Sequence, residues 1–149
     1  MKTRSLYASA LLAGFLVSLI QAQTAWNPDA LIQPAQLAAE LQSKADAPVV
    51  LFVGFPVLYR GAHIPDAVFA GPCSTPEGIA ALKKAVLHFD HSRHIVLYCG
   101  CCPFIKCPNV KPGWQALREM GFSHVQVLEL DTNFHTDWVA KNYPTQKGA

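Results

Sequence analysis

The sequence predicts an α/β fold with a mainly parallel central sheet flanked by helices. Short apolar runs rich in β-branched residues alternate along the chain with segments of helical periodicity, which is typical of parallel sheets. These runs are apolar on both faces, as buried parallel strands are. The length of 149 residues and the hydrophobic content of 51% suit a single domain and exclude a disordered chain.

Each predicted strand is a short apolar run bounded by residues that break regular structure. Ala47-Pro48 precedes the first run and Gly54 ends it, while the third run leads directly into Cys99. Strands are expected at residues 49–53, 67–70, 94–98 and 124–128.

The predicted helices carry start and stop signals. Pro34 lies in the first turn of one helix, Thr75 is the expected N-cap of the next with Pro76 behind it, and Gly121 ends the third. Helices are expected at residues 34–43, 76–87, 112–120 and 133–142.

The first 25 residues have the pattern of a secretory signal peptide. Lys2 and Arg4 precede fifteen uncharged residues at 6–20, and small or polar residues follow. The alternative is a membrane anchor, which needs about 20 apolar residues. The predicted signal peptide is residues 1–22, with cleavage after Ala25 as the second choice. The sequence therefore predicts a periplasmic or secreted protein.

The charge of the mature chain narrows its partners. The chain has 12 Lys and Arg against 10 Asp and Glu, and the signal peptide removes Lys2 and Arg4, so the mature chain is formally neutral. A neutral chain offers no basic patch for nucleic acid or acidic lipid. We therefore expect no nucleic-acid partner, no membrane partner after signal cleavage, and one domain over residues 29–145.

Four of the five cysteines lie in the loop that follows the third predicted strand. Cys99 is expected at the carboxyl end of that strand, where parallel sheets place their ligand sites. Backbone N–H groups of the loop and of the next helix are expected to stabilise its thiolate, the reactive form of cysteine. The same groups would bind an anionic substrate. The predicted substrate-binding residues are Gly100, Cys101, Cys102 and Lys106.

The cysteines also admit other roles. In an oxidising compartment they can form structural disulfides, and five thiols leave at least one unpaired. Cys102–Cys107 and Cys101–Cys107 are favoured pairs over adjacent cysteines. Cys107 and Cys73 are candidates for resolving or disulfide roles, and a free half-buried thiol is an equal alternative for Cys73. Because the loop lacks paired C-x(2)-C arms, no metal and no cofactor are predicted, and a thiophilic metal site is the alternative.

Several other polar residues have structural and functional alternatives. Asn109 is expected to cap the following helix, and the alternative is that it donates to a substrate. His63 is expected to make a structural hydrogen bond. His88, His91 and His94 are expected on the surface, with metal binding as the alternative.

Four motifs in order resemble the rhodanese-like family of sulfurtransferases, over residues 32–144. Gly-Ala-His-Ile-Pro-Asp-Ala at 61–67 is similar to the family's G-H-I-P-G-A signature, with Tyr59 at its upstream tyrosine. Residues 94–99 resemble the strand that ends in the catalytic cysteine. Residues 117–122 and the strand after them resemble the family's L-R-x-x-G-[FY] helix end, and Trp138 with Tyr143-Pro144 resembles its terminal W…G-[YF]-P.

The resemblance implies a single rhodanese-like domain in which Cys99 carries sulfane sulfur as a persulfide. It also implies a small sulfur-containing anion as the sulfur donor and a thiophilic acceptor. The chain departs from the family at Phe52 and Gly54, where members carry an Asp and an Arg, and at Ala62 and Asp66, where they carry glycines. The family's C-x-x-G-x-R loop is longer here and lacks its arginine. Two alternatives therefore stand beside sulfur transfer: a thiol–disulfide redox protein, and a non-catalytic module whose cysteines form structural bridges.

Overall fold

The structure is a computed structural model that describes residues 26–43 and 46–148. The predicted signal peptide and its cleavage sites lie outside the described residues. Five strands form one sheet in the order β1-β5-β4-β2-β3, and every pairing is parallel. The predicted α/β class with a parallel sheet is confirmed. The strands are β1 (Leu31–Ile32), β2 (Val49–Phe52), β3 (Val68–Phe69), β4 (Ile95–Tyr98) and β5 (Val125–Leu128).

The sheet has a buried cluster on each face, because side chains alternate along its strands. Leu51 and Leu97 lie in one cluster, while Val50 and Val96 lie in the other. Both central strands, β2 and β4, are therefore apolar on both sides, as their continuous hydrophobic runs predict. Cys99 belongs to the same cluster as Leu97, two residues before it.

Five α-helices and three short 3-10 helices connect the strands. The α-helices are α1 (Pro34–Gln42), α2 (Pro56–Gly61), α3 (Pro76–Ala85), α4 (Val110–Glu119) and α5 (Phe134–Asp137). The 3-10 helices are Pro28–Ala30, Phe104–Lys106 and Val139–Lys141. Among the described residues, no helix is long and apolar enough to cross a bilayer.

Two elements differ from the sequence prediction. The expected helix at 133–142 is divided at Trp138, whose backbone (φ −125°, ψ −62°) leaves the helical region, and the 3-10 turn after it ends at Asn142 in the left-handed region. Helix α2 was not predicted, because none of its residues is buried and the segment has no inward-facing apolar period. The remaining helices match their predicted positions to within two or three residues, and α4 begins two residues early.

Helix α3 begins as its sequence indicates. Thr75 is the N-cap, and its Oγ1 accepts a hydrogen bond of 3.0 Å from the Gly78 N–H, with Pro76 in the first turn. Gly78 packs directly against the preceding loop: a Cβ added there would lie 1.7 Å from the Pro72 carbonyl oxygen. The start of α3 therefore depends on both a capping side chain and a missing one.

The chain's final described segment pairs with the loop after α2. His63 and Gln146 exchange two backbone hydrogen bonds, of 2.9 and 2.8 Å, and the Gly148 N–H donates to the Arg60 carbonyl at 3.1 Å. His63 Nδ1 lies 2.7 Å from the Tyr59 carbonyl oxygen, and the two rings stack. The predicted structural role of His63 is confirmed.

The expectation that three histidines lie on the surface holds for two of them. His88 and His91 are exposed, but His94 is half-buried. Its Nε2 lies 2.8 Å from Gln126 Oε1, and its ring stacks on His124 with centroids 3.8 Å apart. Burial lowers the pKa of His94. Its place at the start of a central strand explains why the surface prediction is wrong there.

Candidate active site

Cys99 lies directly after β4, at the carboxyl edge of the sheet, as predicted. Its side chain is 1% exposed and points to the face covered by α3 and α4. Gly54, after the neighbouring strand β2, makes room for the sulfur: a Cβ at this position would lie 2.7 Å from Cys99 Sγ. The residue that stands where the family carries an arginine is therefore packed against the cysteine sulfur.

Three loop cysteines bring their sulfur atoms together. The Sγ atoms of Cys99, Cys101 and Cys107 all lie within 4.8 Å of one another, and we call them the three-sulfur cluster. Cys99 Sγ and Cys101 Sγ are 3.4 Å apart, and Cys102 Sγ lies 3.1 Å from Cys101 Sγ. All five cysteines are free thiols in this structure, so the disulfide pairs named above stay predictions.

The hydrogen bonds of the cluster place the negative charge on Cys107. Its sulfur accepts a hydrogen bond from the Cys99 thiol and others from the backbone N–H groups of Asn109 and Val110, which lowers its pKa to about 6 against the opposing effect of burial. Donating to Cys107, together with burial, raises the pKa of Cys99 far above its ordinary range. The predicted thiolate at Cys99 is therefore wrong, because the N–H groups at the start of α4 converge on Cys107 instead.

Asn109 ties Cys99 to the loop before α3. It is fully buried, its Nδ2 donates to Cys99 Sγ at 3.4 Å, and its Oδ1 accepts a hydrogen bond of 2.9 Å from the Ser74 N–H. Its side chain makes no capping bond to α4, so the predicted capping role is wrong. An Asn just before a helix gives the same sequence signal in either role, and only the fold distinguishes them.

Cys73 lies at the same sheet edge but outside the three-sulfur cluster. It follows β3, is 1% exposed, and its thiol donates to the Ala70 carbonyl at 3.4 Å. Burial raises its pKa to about 12. Cys73 is thus a protonated thiol satisfied within its own loop, which agrees with the free-thiol alternative.

The other predicted binding residues divide between two surroundings. Gly100 takes a left-handed backbone (φ +85°), and Cys101 beside it is exposed. Cys102 is half-buried, and burial with its hydrogen bond to Cys101 raises its pKa to about 12. Lys106 is exposed on the 3-10 helix Phe104–Lys106 and does not line the cavity that reaches Cys99.

An apolar cleft of about 570 Å³ opens onto Cys99, Gly100 and Cys101. Lys147 and His135 provide polar groups among its lining residues, and Lys147 is the only Lys or Arg among the described residues that line it. The sequence did not indicate this cleft, because α2 and the final segment form much of it. Its apolar lining consists of Phe52, Val57, Leu58, Ala62, Phe134 and Val139.

The position of the charge can be measured by titration. We expect the ultraviolet absorbance of thiolate to rise as pH increases through about 6, because Cys107 loses its proton there. Cys107→Ser should remove this step. Cys73→Ser is the matched control and should keep it, since the pKa of Cys73 is about 12. A step near pH 6 that survives in Cys107→Ser would show that another thiol holds the charge.

Comparison with known proteins identifies the family. The model of the rhodanese-like domain matches residues 33–133, more than half of the chain. No curated protein compared with the chain matches it.

Solved structures of rhodanese-like proteins share the fold. A protein from Bacillus halodurans superposes with a TM-score of 0.63 at 17% identity, over 80% of this chain and 77% of that one. The rhodanese-like domain of a protein from Anabaena sp. gives 0.57 at 23% identity, over 79% of each chain. A rhodanese-related protein from Thermoplasma volcanium gives 0.54 at 16% identity, over 78% of this chain and 96% of that one. The family match, the parallel sheet and the cysteine at the end of β4 agree, and the chain belongs to the rhodanese-like domain family.

Proposed function

We propose that this domain is a sulfurtransferase that carries sulfane sulfur as a persulfide on Cys99. The observation that carries the proposal is the placement of Cys99 between the apolar cleft and the thiolate of Cys107. A cysteine nucleophile needs both an access route and a group that removes its proton. Cys99 has both, although its own pKa is raised.

The first half of the reaction loads the sulfur. The Cys99 thiol gives its proton to the Cys107 thiolate, and the new Cys99 thiolate attacks the sulfane sulfur of the donor. With thiosulfate as the donor, a bond forms between the two sulfur atoms, the S–S bond of thiosulfate breaks, and its electron pair leaves with sulfite. The product is a Cys99 persulfide anion, and Cys107 holds the proton.

The second half transfers the sulfur to a thiophilic acceptor. The acceptor attacks the outer sulfur of the persulfide, the S–S bond breaks, and Cys99 leaves as a thiolate. Cys99 then takes the proton back from Cys107, which restores the starting state. With cyanide as the acceptor, the product is thiocyanate.

The lining of the cleft supports a donor with an anionic sulfur group and an apolar body. Apolar side chains form most of the wall, and Lys147 is the cation that would attract the anion. Lys106, predicted for that task, lies outside the cleft. The proposal also includes export, which rests on the pattern of the first 25 residues alone.

Intact mass measured without reductant tests this function. After thiosulfate the protein should gain the mass of one sulfur atom, and cyanide should remove it. Peptide mapping of the loaded protein should place the sulfur on Cys99, with the buried Cys73 unchanged as the internal control. A protein that gains no sulfur, or gains it on another cysteine, would contradict the proposal.

Thiol–disulfide exchange is the second candidate, and the 3.4 Å separation of Cys99 and Cys101 sulfurs favours it. The exposed Cys101 would attack a partner's disulfide, and a neighbouring thiol of the cluster would then displace the partner's thiol. Equilibration with glutathione buffers should in that case yield a protein lighter by two hydrogen atoms. A native protein without any titratable thiol would instead support the non-catalytic alternative.

A further inference from the structure

The three-sulfur cluster has the separation that a metal ion requires. In a site with metal–sulfur bonds of about 2.3 Å, ligand sulfurs lie about 3.8 Å apart in tetrahedral and about 4.0 Å apart in trigonal geometry. The sulfurs of Cys99 and Cys101 are 3.4 Å apart, and all three lie within 4.8 Å of one another. Shifts of a few tenths of an ångström would therefore suffice to place one ion among them.

The chemistry of the ligands selects the class of ion. Thiolates bind soft cations, of which Cu(I) and Zn(II) are the common d10 examples in proteins. The residues around the sulfurs supply no oxygen donor that would favour a hard cation: the inner side of the cluster packs against Phe104, Val110 and Leu128. A hard ion such as Mg²⁺ is excluded by this surrounding.

The cluster is closed on one side and open on the other. Between Cys99, Cys107 and the apolar side chains behind them there is no room for a water molecule. On the other side, Cys99 and Cys101 face the apolar cleft. Three sulfurs complete a trigonal Cu(I) site, whereas Zn(II) would take a fourth ligand from the cleft.

We infer that Cys99, Cys101 and Cys107 form a binding site for one soft d10 cation, Cu(I) or Zn(II), beneath the apolar cleft. The ion displaces the thiol protons and occupies the same sulfur of Cys99 that the proposed persulfide requires. Metal and sulfur therefore compete for one atom. The inference goes beyond sulfur transfer and does not depend on it, because the ion is detected without any sulfur donor.

Native mass spectrometry of the reduced protein tests the inference. We expect one Cu(I) or one Zn(II) per chain, added separately under anaerobic conditions and retained through buffer exchange. Competition with a chelator then gives the affinity for each ion and identifies the preferred one. Cobalt(II) in place of Zn(II) should give the intense ultraviolet bands of sulfur-to-cobalt charge transfer.

Cys101→Ser is the sharpest variant, because Cys101 is exposed and its replacement leaves the core intact. It should lower the affinity more than about a hundredfold, beyond the loss from changes outside a ligand set. Cys73→Ser, which alters a buried thiol outside the cluster, is the matched control and should retain the ion. Unchanged affinity in Cys101→Ser, failure of both ions to remain bound, or loss of charge-transfer bands only in Cys73→Ser would overturn the inference.

Discussion

Replacement of Cys99 by serine is expected to lower the rate of sulfur transfer from thiosulfate to cyanide by at least about a thousandfold. The serine hydroxyl is a far weaker nucleophile than a thiolate and forms no persulfide. The proton acceptor, Cys107, and the apolar cleft remain in this variant, so the loss reports the nucleophile alone. Stopped-time assays of thiocyanate formation at several thiosulfate concentrations measure kcat and KM separately, and we expect the change in kcat.

Two variants control for damage to the loop. Cys102→Ser changes a sulfur that contacts Cys101 but is not in the three-sulfur cluster, and Cys73→Ser changes a buried thiol at the same sheet edge. Both should retain activity within about threefold, as changes away from the reacting atoms do. If Cys99→Ser kept more than about a tenth of the activity, Cys99 would not be the nucleophile.

Replacement of Gly78 by alanine is expected to destabilise the domain by about 3 kcal/mol. The added Cβ would meet the Pro72 carbonyl at 1.7 Å, so α3 must move away from the loop that carries Cys73. Backbone cannot yield as a flexible side chain does, and the Thr75 capping bond ends on this same residue. Urea denaturation followed by circular dichroism measures the free energy of unfolding.

Gly61→Ala is the matched control, since both glycines lie in helices. No atom lies within 4 Å of a Cβ added at Gly61. Alanine there should leave the free energy of unfolding unchanged or raise it by up to about 1 kcal/mol, through its better helix propensity. Equal destabilisation by both substitutions would mean that the close approach at Gly78 is not the cause.

The parts of the fold that the sequence predicted share one physical property. Strands β2 and β4 are buried on both faces, so their continuous apolar runs are visible without any knowledge of the fold. The start of α3 is equally local, because Thr75 and Pro76 act within one turn. Strand β1 has only two residues and α2 buries none, so neither leaves a periodic pattern.

The candidate site was predictable in position but not in charge. The place of Cys99 follows from the strand before it, and its nearness to other cysteines follows from the loop's sequence. Which sulfur becomes the thiolate depends on where the N–H groups of Asn109 and Val110 point, and this is set by how the loop folds onto α4. The cleft depends on segments far apart in the chain, such as α2 and Lys147.

The bridge made by Asn109 restricts which side chains position 109 can accept. Its amide uses one end as a donor to Cys99 Sγ and the other as an acceptor from the Ser74 N–H. Aspartate has nearly the same shape but has no N–H to offer the sulfur, and leucine would leave a buried N–H without a partner. Glutamine carries both groups but is one methylene too long for a filled site. Sequence drift at this position is therefore limited by chemistry at one end of the amide and by backbone at the other, so two loops that are distant in the chain must change together or not at all.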